Sequence, residues 1–132
     1  MTDKIDIIRS KILNDFKAKC KAYNFHPKIY VGKTQDFSEA EERHKQEGYP
    51  IFLQAATGNP KDISKLEDFI NSNLINSNEW LSENKRRGSA GNTNADKLYI
   101  CLATTTSSDE LWEYDHLQYL GQEYPLDIDT YE

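Results

Sequence analysis

Cysteine is scarce in this sequence of 132 residues, which contains only Cys20 and Cys101. One lies in a helix-like segment and the other in a strand-like one, and neither belongs to a Cys-x-x-Cys pair or a Cys/His spacing typical of zinc sites. A disulfide framework needs several cysteines. We therefore expect two reduced thiols, an intracellular location (cytoplasmic or nuclear) and no zinc.

Long apolar runs are also missing, and the longest span only a few residues, as in Leu98 to Ala103. The N-terminus carries Asp3 and Asp6 instead of a basic start before an apolar segment. We expect neither a membrane span nor a secretory signal. Apolar residues make up 37% of the chain, and a chain of this length buries roughly two-thirds of its extended surface, so one domain with one core is expected.

Lysine and arginine are absent from Ser107 onward, where the chain has eight acidic residues: Asp109, Glu110, Glu113, Asp115, Glu123, Asp127, Asp129 and Glu132. The remaining 14 of the 22 acidic residues face 16 basic ones, so the body is about +2 and the tail −8. We predict a domain over residues 1–106 and an acidic, aromatic C-terminal tail over 107–132. The tail could be a further strand, a docked short helix or an extended arm.

Hydrophobic periodicity and turn signals predict three helices and three strands. In chain order they are an amphipathic helix over 4–23, a strand over 28–34, a helix from Asp36 to Gly48, a strand over 50–56, a helix over 59–74 and a strand over 97–103. This order predicts a small α/β or α+β domain, in which a short central β-sheet is flanked by helices.

Glu67 is the least expected residue of the third helix. Asn59 and Pro60 begin this helix well, and its apolar stripe at about 100° per residue includes Leu66 and Ile70. Glu67 falls on that same stripe, where an ionised carboxylate needs a partner or a metal. A local Lys, Arg or Tyr would satisfy it as well as a metal ion would.

Several residues in order along 28–102 together resemble the GIY-YIG nuclease superfamily. Tyr30-Val31-Gly32 is similar to the second tyrosine motif of that family and is followed by Lys33. Arg43 comes eleven residues after Gly32, Glu67 a further twenty-four residues on, and Asn84 opens a glycine-bearing loop before the last strand. The family's first motif, a Gly-Ile-Tyr strand, has no counterpart here, because the preceding region is the end of the first helix.

The resemblance implies a divalent-metal-dependent endonuclease that hydrolyses phosphodiester bonds. Glu67 would hold one Mg²⁺ or Mn²⁺ together with water molecules, and Arg43 would bind a phosphate oxygen. Tyr30 would relay the proton of the attacking water. His44 would be either a second proton carrier or a buried histidine with a backbone partner.

Nucleic acid is the expected partner, with DNA favoured over RNA. The basic residues that could contact phosphate are Lys33, Lys85, Arg86 and Arg87, with Asn84 nearby; the basic loop is equally explained as a solvated surface. Asn84 could cap the loop or hydrogen-bond near the site.

Two alternatives come from other classes of protein. The chain could be a catalytically degenerate module that binds nucleic acid or protein. The acidic tail could also cover the basic surface as an autoinhibitory mimic of nucleic acid, or bind a basic protein partner.

Overall fold

A computed structural model describes residues 3–22, 28–49, 51–75, 81–82, 94–103 and 124–130 of the chain. These residues form three helices and five strands. In chain order they are α1 (Lys4–Ala22), β1 (Lys28–Thr34), α2 (Phe37–Gln46), β2 (Ile51–Thr57), α3 (Pro60–Ile75), β3 (Leu81–Ser82), β4 (Lys97–Ala103) and β5 (Leu126–Asp127).

The predicted helix ends are confirmed. Asp36 caps α2, since its carboxylate accepts hydrogen bonds from the backbone N–H groups of Ser38 and Glu39. Gly48 follows the end of α2 with a φ of 102°, a left-handed conformation that glycine adopts without strain. At the start of α3, the Asn59 side chain accepts a hydrogen bond from the N–H of Asp62 at 2.9 Å.

The five strands form one mixed sheet in the order β3-β1-β4-β2-β5. The central strand, β4, is antiparallel to both β1 and β2, whereas the two short edge strands, β3 and β5, run parallel to their neighbours. The register between β1 and β4 pairs Tyr30 with Cys101 and Gly32 with Tyr99. β4 therefore separates β1 from β2, the two long strands that precede it in the chain.

Helices cover both faces of the sheet. On one face, α1 and α3 bury the main apolar core, whose members include Ile8, Ile12, Ile29, Val31, Leu53, Ile63, Leu66, Ile70, Leu98, Ile100 and Leu102. On the other face, α2 covers a smaller, aromatic cluster of Ala40, Phe52, Tyr99 and Cys101, with Tyr30, Phe37 and Tyr49 at its margin. Because side chains alternate along a strand, Tyr30 and Tyr99 face α2 while their neighbours face α3. The predicted α+β fold with helices on a short sheet is confirmed.

The predicted tail boundary needs a correction. Residues 124–130 belong to the folded domain, because β5 pairs with β2 and because Leu126 and Ile128 are buried in the main core. The Tyr124 hydroxyl also donates a hydrogen bond to Asp15 of α1. An apolar side chain at every second position anchors this segment despite its acidic neighbours, and the charge pattern alone concealed that. Residues 104–123 lie outside the described part of the chain.

Cys101 is buried and free, as the sequence predicts for this thiol. Within the ranges that the structure describes, every helix is too short or too polar to serve as a membrane span.

Candidate active site

Four ring side chains gather between the sheet and α2. The centroid of the His44 ring lies 4.9 Å from that of Tyr30, 5.2 Å from that of Tyr99 and 6.1 Å from that of Tyr49. Tyr30 comes from β1, Tyr99 from β4, His44 from α2 and Tyr49 from the segment after it. Three segments distant in the chain thus bring proton-carrying groups to one place.

His44 is buried, with 4% of its surface exposed, and its partner is a side chain, not the backbone group that the sequence suggested. Its Nε2 lies 2.7 Å from the Tyr99 hydroxyl. Its Nδ1 lies 3.0 Å from Glu47 Oε2, an ion-pair distance, although the angle is outside the range of a hydrogen bond. Burial lowers the pKa of His44, and the negative charge of Glu47 opposes this effect only in part. The imidazole is therefore neutral at pH 7.

Tyr99 is a functional candidate that the sequence analysis missed. It is 2% exposed, and burial strongly raises the pKa of its hydroxyl, so the phenol is protonated at neutral pH. The same residue places a second tyrosine-bearing strand beside β1, and this strand follows Glu67 in the chain. The strand over Leu98-Tyr99-Ile100 can be predicted from the sequence, but its position beside β1 depends on the order of the strands in the sheet.

Arg43 lies at the exposed rim of this cluster. Its Nη1 donates to Glu39 Oε1 at 3.0 Å within α2, and about half of its side chain, 48%, is exposed. Burial acts to lower the pKa of Arg43, but the neighbouring Tyr99 hydroxyl and the Glu39 and Glu47 carboxylates raise it overall. The exposed half of the side chain is open to an incoming anion.

Glu67 is buried, at 6% exposed, and it lies on α3 behind the opposite face of the sheet from α2. The next helical turn places Asn71 on the same side of α3, and this amide is 2% exposed. Asn71 Oδ1 has no hydrogen-bond donor among the described residues. Carboxylate and amide oxygens are ligands that Mg²⁺ and Mn²⁺ accept, so this pair fits a divalent cation.

Tyr30 connects the two faces. Burial raises the pKa of its hydroxyl, the negative charge of Glu67 raises it further, and the positive charge of Arg43 opposes both. The phenol is thus within electrostatic reach of both charged residues that the sequence singled out. Tyr30 itself is half-buried.

Lys33 does not join this group. Side-chain alternation along β1 directs it toward α3, where its ammonium donates to the Ser64 hydroxyl at 2.7 Å. Lys33 is close to Tyr30 in the sequence but lies on the other face of the sheet, so the structure gives no support to its predicted contact with nucleic acid.

The remaining predicted contacts, Asn84, Lys85, Arg86 and Arg87, lie outside the described residues. Among those that the structure does describe, no group of three or more His, Cys, Asp or Glu side chains is placed to hold a metal ion.

No protein-family model matches the chain, and neither curated proteins nor solved structures give a significant match. The family resemblance stays a prediction from the residues.

Proposed function

We propose that this protein is a divalent-metal-dependent endonuclease that hydrolyses phosphodiester bonds, with DNA favoured over RNA as its substrate. The observation that carries this proposal is the position of Tyr30. Its ring packs on His44 at 4.9 Å, and its hydroxyl is within electrostatic reach of Arg43 on one side and Glu67 on the other. The charges of Arg43 and Glu67 thus both act on the Tyr30 hydroxyl, from opposite faces of the sheet.

Arg43 would bind a non-bridging phosphate oxygen. It is exposed enough to meet a polymer substrate, and its planar fork matches the geometry of phosphate better than a lysine ammonium does. The Glu39 carboxylate now engages the guanidinium, and an exposed pair of this type is worth little free energy. A phosphate can therefore replace Glu39 at small cost.

Tyr30 would orient the attacking water. Its raised pKa keeps it in the phenol form at neutral pH, so it cannot serve as a preformed phenolate base. The proton of the water must then pass on to a neutral base in the same cluster. His44 is that kind of group, because its lowered pKa leaves an unprotonated nitrogen at pH 7.

Glu67 and Asn71 would hold the cation, with water molecules as its other ligands. When bound, Mg²⁺ or Mn²⁺ supplies positive charge that stabilises the phosphate and its leaving oxygen. A bound cation would also offset part of the free-energy cost of burying the Glu67 carboxylate.

The test is cleavage of plasmid, branched DNA and RNA by the purified protein with Mg²⁺ or Mn²⁺. Glu67→Gln keeps the shape of the side chain and removes its charge, so we expect at least a hundredfold loss of kcat, on the order of a lost electrostatic contribution at an active site. Arg43→Lys should lose nearly as much activity as Arg43→Ala, because an ammonium group lacks the planar fork of the guanidinium. Glu42→Gln, at an exposed position of α2, is the matched control and should behave as the parent does.

Cleavage that survives in Glu67→Gln would contradict the proposal. A folded parent that binds nucleic acid in a salt-dependent way but cuts none would favour the non-catalytic binding module instead.

A further inference from the structure

We infer that His44 is the base of this site, that Tyr99 delivers the proton to it, and that Glu47 is the residue that holds the imidazole in the accepting tautomer. Two distances carry the inference: Tyr99 Oη lies 2.7 Å from His44 Nε2, and Glu47 Oε2 lies 3.0 Å from His44 Nδ1. The inference rests on the proposed function, because it names the base for that same reaction.

The direction of the hydrogen bond follows from the group on the other side of the His44 ring. An ionised carboxylate can only accept, so the nitrogen that lies 3.0 Å from Glu47 Oε2, Nδ1, carries the imidazole proton. Nε2 is then unprotonated, and the Tyr99 hydroxyl 2.7 Å away donates to it. Both contacts agree on one tautomer.

The surroundings of the ring leave it neutral before reaction and able to take up a proton. The charged groups that act on it are Glu47, directly after α2, and Arg43 and Glu39 on α2. The groups packed on it from other segments are the uncharged Tyr30, Tyr99 and Tyr49. Glu47 is therefore the carboxylate closest to the charge that would develop on the imidazolium.

The proton passes from the attacking water through Tyr99 to His44. As the water oxygen forms its bond to phosphorus, one water O–H bond breaks and a proton reaches Tyr99 Oη. The Tyr99 proton moves to Nε2, which makes His44 an imidazolium beside the Glu47 carboxylate. The P–O bond to the leaving oxygen breaks, and that oxygen takes a proton from solvent. Tyr99 ends as the phenol that it was, and His44 later releases its proton to solvent.

Arg43 places the substrate where this relay can act. Its charge acts on the Tyr99 hydroxyl and about half of its side chain is exposed, so a phosphate bound on the guanidinium would come near that hydroxyl. Tyr99 is otherwise enclosed, and Arg43 is its route to the substrate.

The experiment compares Tyr99→Phe and Glu47→Gln with the parent by the dependence of kcat and KM on pH. Tyr99→Phe should lower kcat about a hundredfold, as expected for a lost acid–base relay, with KM changed less than twofold. Glu47→Gln should shift the acidic limb of the kcat profile to lower pH, because removing the carboxylate lowers the pKa of His44. Tyr124→Phe and Glu42→Gln are the matched controls, and both should follow the parent.

Nitrogen-15 NMR of the imidazole gives a readout that does not need catalysis. His44 is identified among the three histidines by its loss in His44→Gln, and its proton should be on Nδ1 in the parent. Glu47 is exposed, so Glu47→Gln stays folded even if a change at Tyr99 does not.

A proton found on Nε2 of His44, or a Tyr99→Phe variant that cleaves as fast as the parent, would overturn the relay while leaving the nuclease intact. If Glu67→Gln cleaves as well as the parent, the proposed function fails instead, whatever Tyr99→Phe does.

Discussion

A Cβ atom on Gly32 would stand 2.6 Å from Cζ of Tyr99, the residue directly opposite it on β4. The Tyr99 ring therefore lies across the backbone of Gly32, and no larger residue fits there. The glycine of the Tyr30-Val31-Gly32 motif thus has a physical role, because it gives Tyr99 the space to reach His44.

Gly32→Ala should destabilise the protein by about 1–3 kcal/mol, the usual range for overpacking a closed site. The ring of Tyr99 cannot rotate away easily, because it stacks on Phe52 at a centroid distance of 4.9 Å. Urea unfolding measures the loss of free energy. In a Tyr99→Ala background the nearest ring atom to the added methyl group would be Tyr30 Cε1 at 3.1 Å, so Gly32→Ala should cost much less there. If Gly32→Ala lowers the free energy of unfolding equally in both backgrounds, the added methyl group does not clash with Tyr99.

The buried histidine should make stability depend on pH. His44 has a lowered pKa in the folded state, whereas in the unfolded chain it titrates near its ordinary value of 6.5. Below that pH the unfolded state binds a proton that the folded state does not, so the free energy of unfolding falls as pH decreases, and the fall ends below the folded pKa.

We therefore expect urea unfolding to show a larger drop between pH 7 and pH 5 in the parent than in His44→Gln. Comparing the two chains removes the contribution of the acidic residues, which are the same in both. Parallel curves would mean that His44 has an ordinary pKa.

The Cys101 thiol should be unreactive in the folded protein. Burial raises its pKa from 9.0 to about 12, which at pH 8 lowers the thiolate fraction about a thousandfold. In a Cys20→Ser background, reaction with a thiol reagent should be slow until denaturant is added. Rapid reaction under native conditions would place Cys101 at the surface.

The C-terminal strand should contribute to the stability of the whole domain. Leu126 is 4% exposed within the main core, so Leu126→Ala should cost about 2–4 kcal/mol, as large-to-small core changes do. The neighbouring Asp127 is exposed, and Asp127→Ala is the matched control. Thermal unfolding distinguishes them. A Leu126→Ala protein with the melting temperature of the control would mean that this segment is not anchored in the core.

Local signals predicted the helices and long strands well, because caps, periodicity and glycine at a helix end act within a few residues. Asp36, Asn59 and Gly48 fulfil the roles that their positions predict. The burial of Glu67 and His44 also follows from helical periodicity alone.

The partners of these buried residues could not be predicted in the same way. His44 and Tyr99 are 55 residues apart, and their contact depends on β4 lying next to β1, a choice that the pattern of either strand does not determine. The strand character of Leu126 was concealed because acidic neighbours dominate its segment. Sheet order and short edge strands depend on tertiary packing, which local sequence does not specify.

The central position of β4 also has a consequence for how the chain folds. β1 and β2 are made first, yet each forms its long ladder with β4, so neither can pair in full until synthesis has passed residue 103. The contact order of the sheet is therefore high for so small a domain, and folding should be slow compared with a helical protein of this length. A nascent or truncated chain ending before β4 would present two apolar strands with unpaired edges, the feature that most invites aggregation.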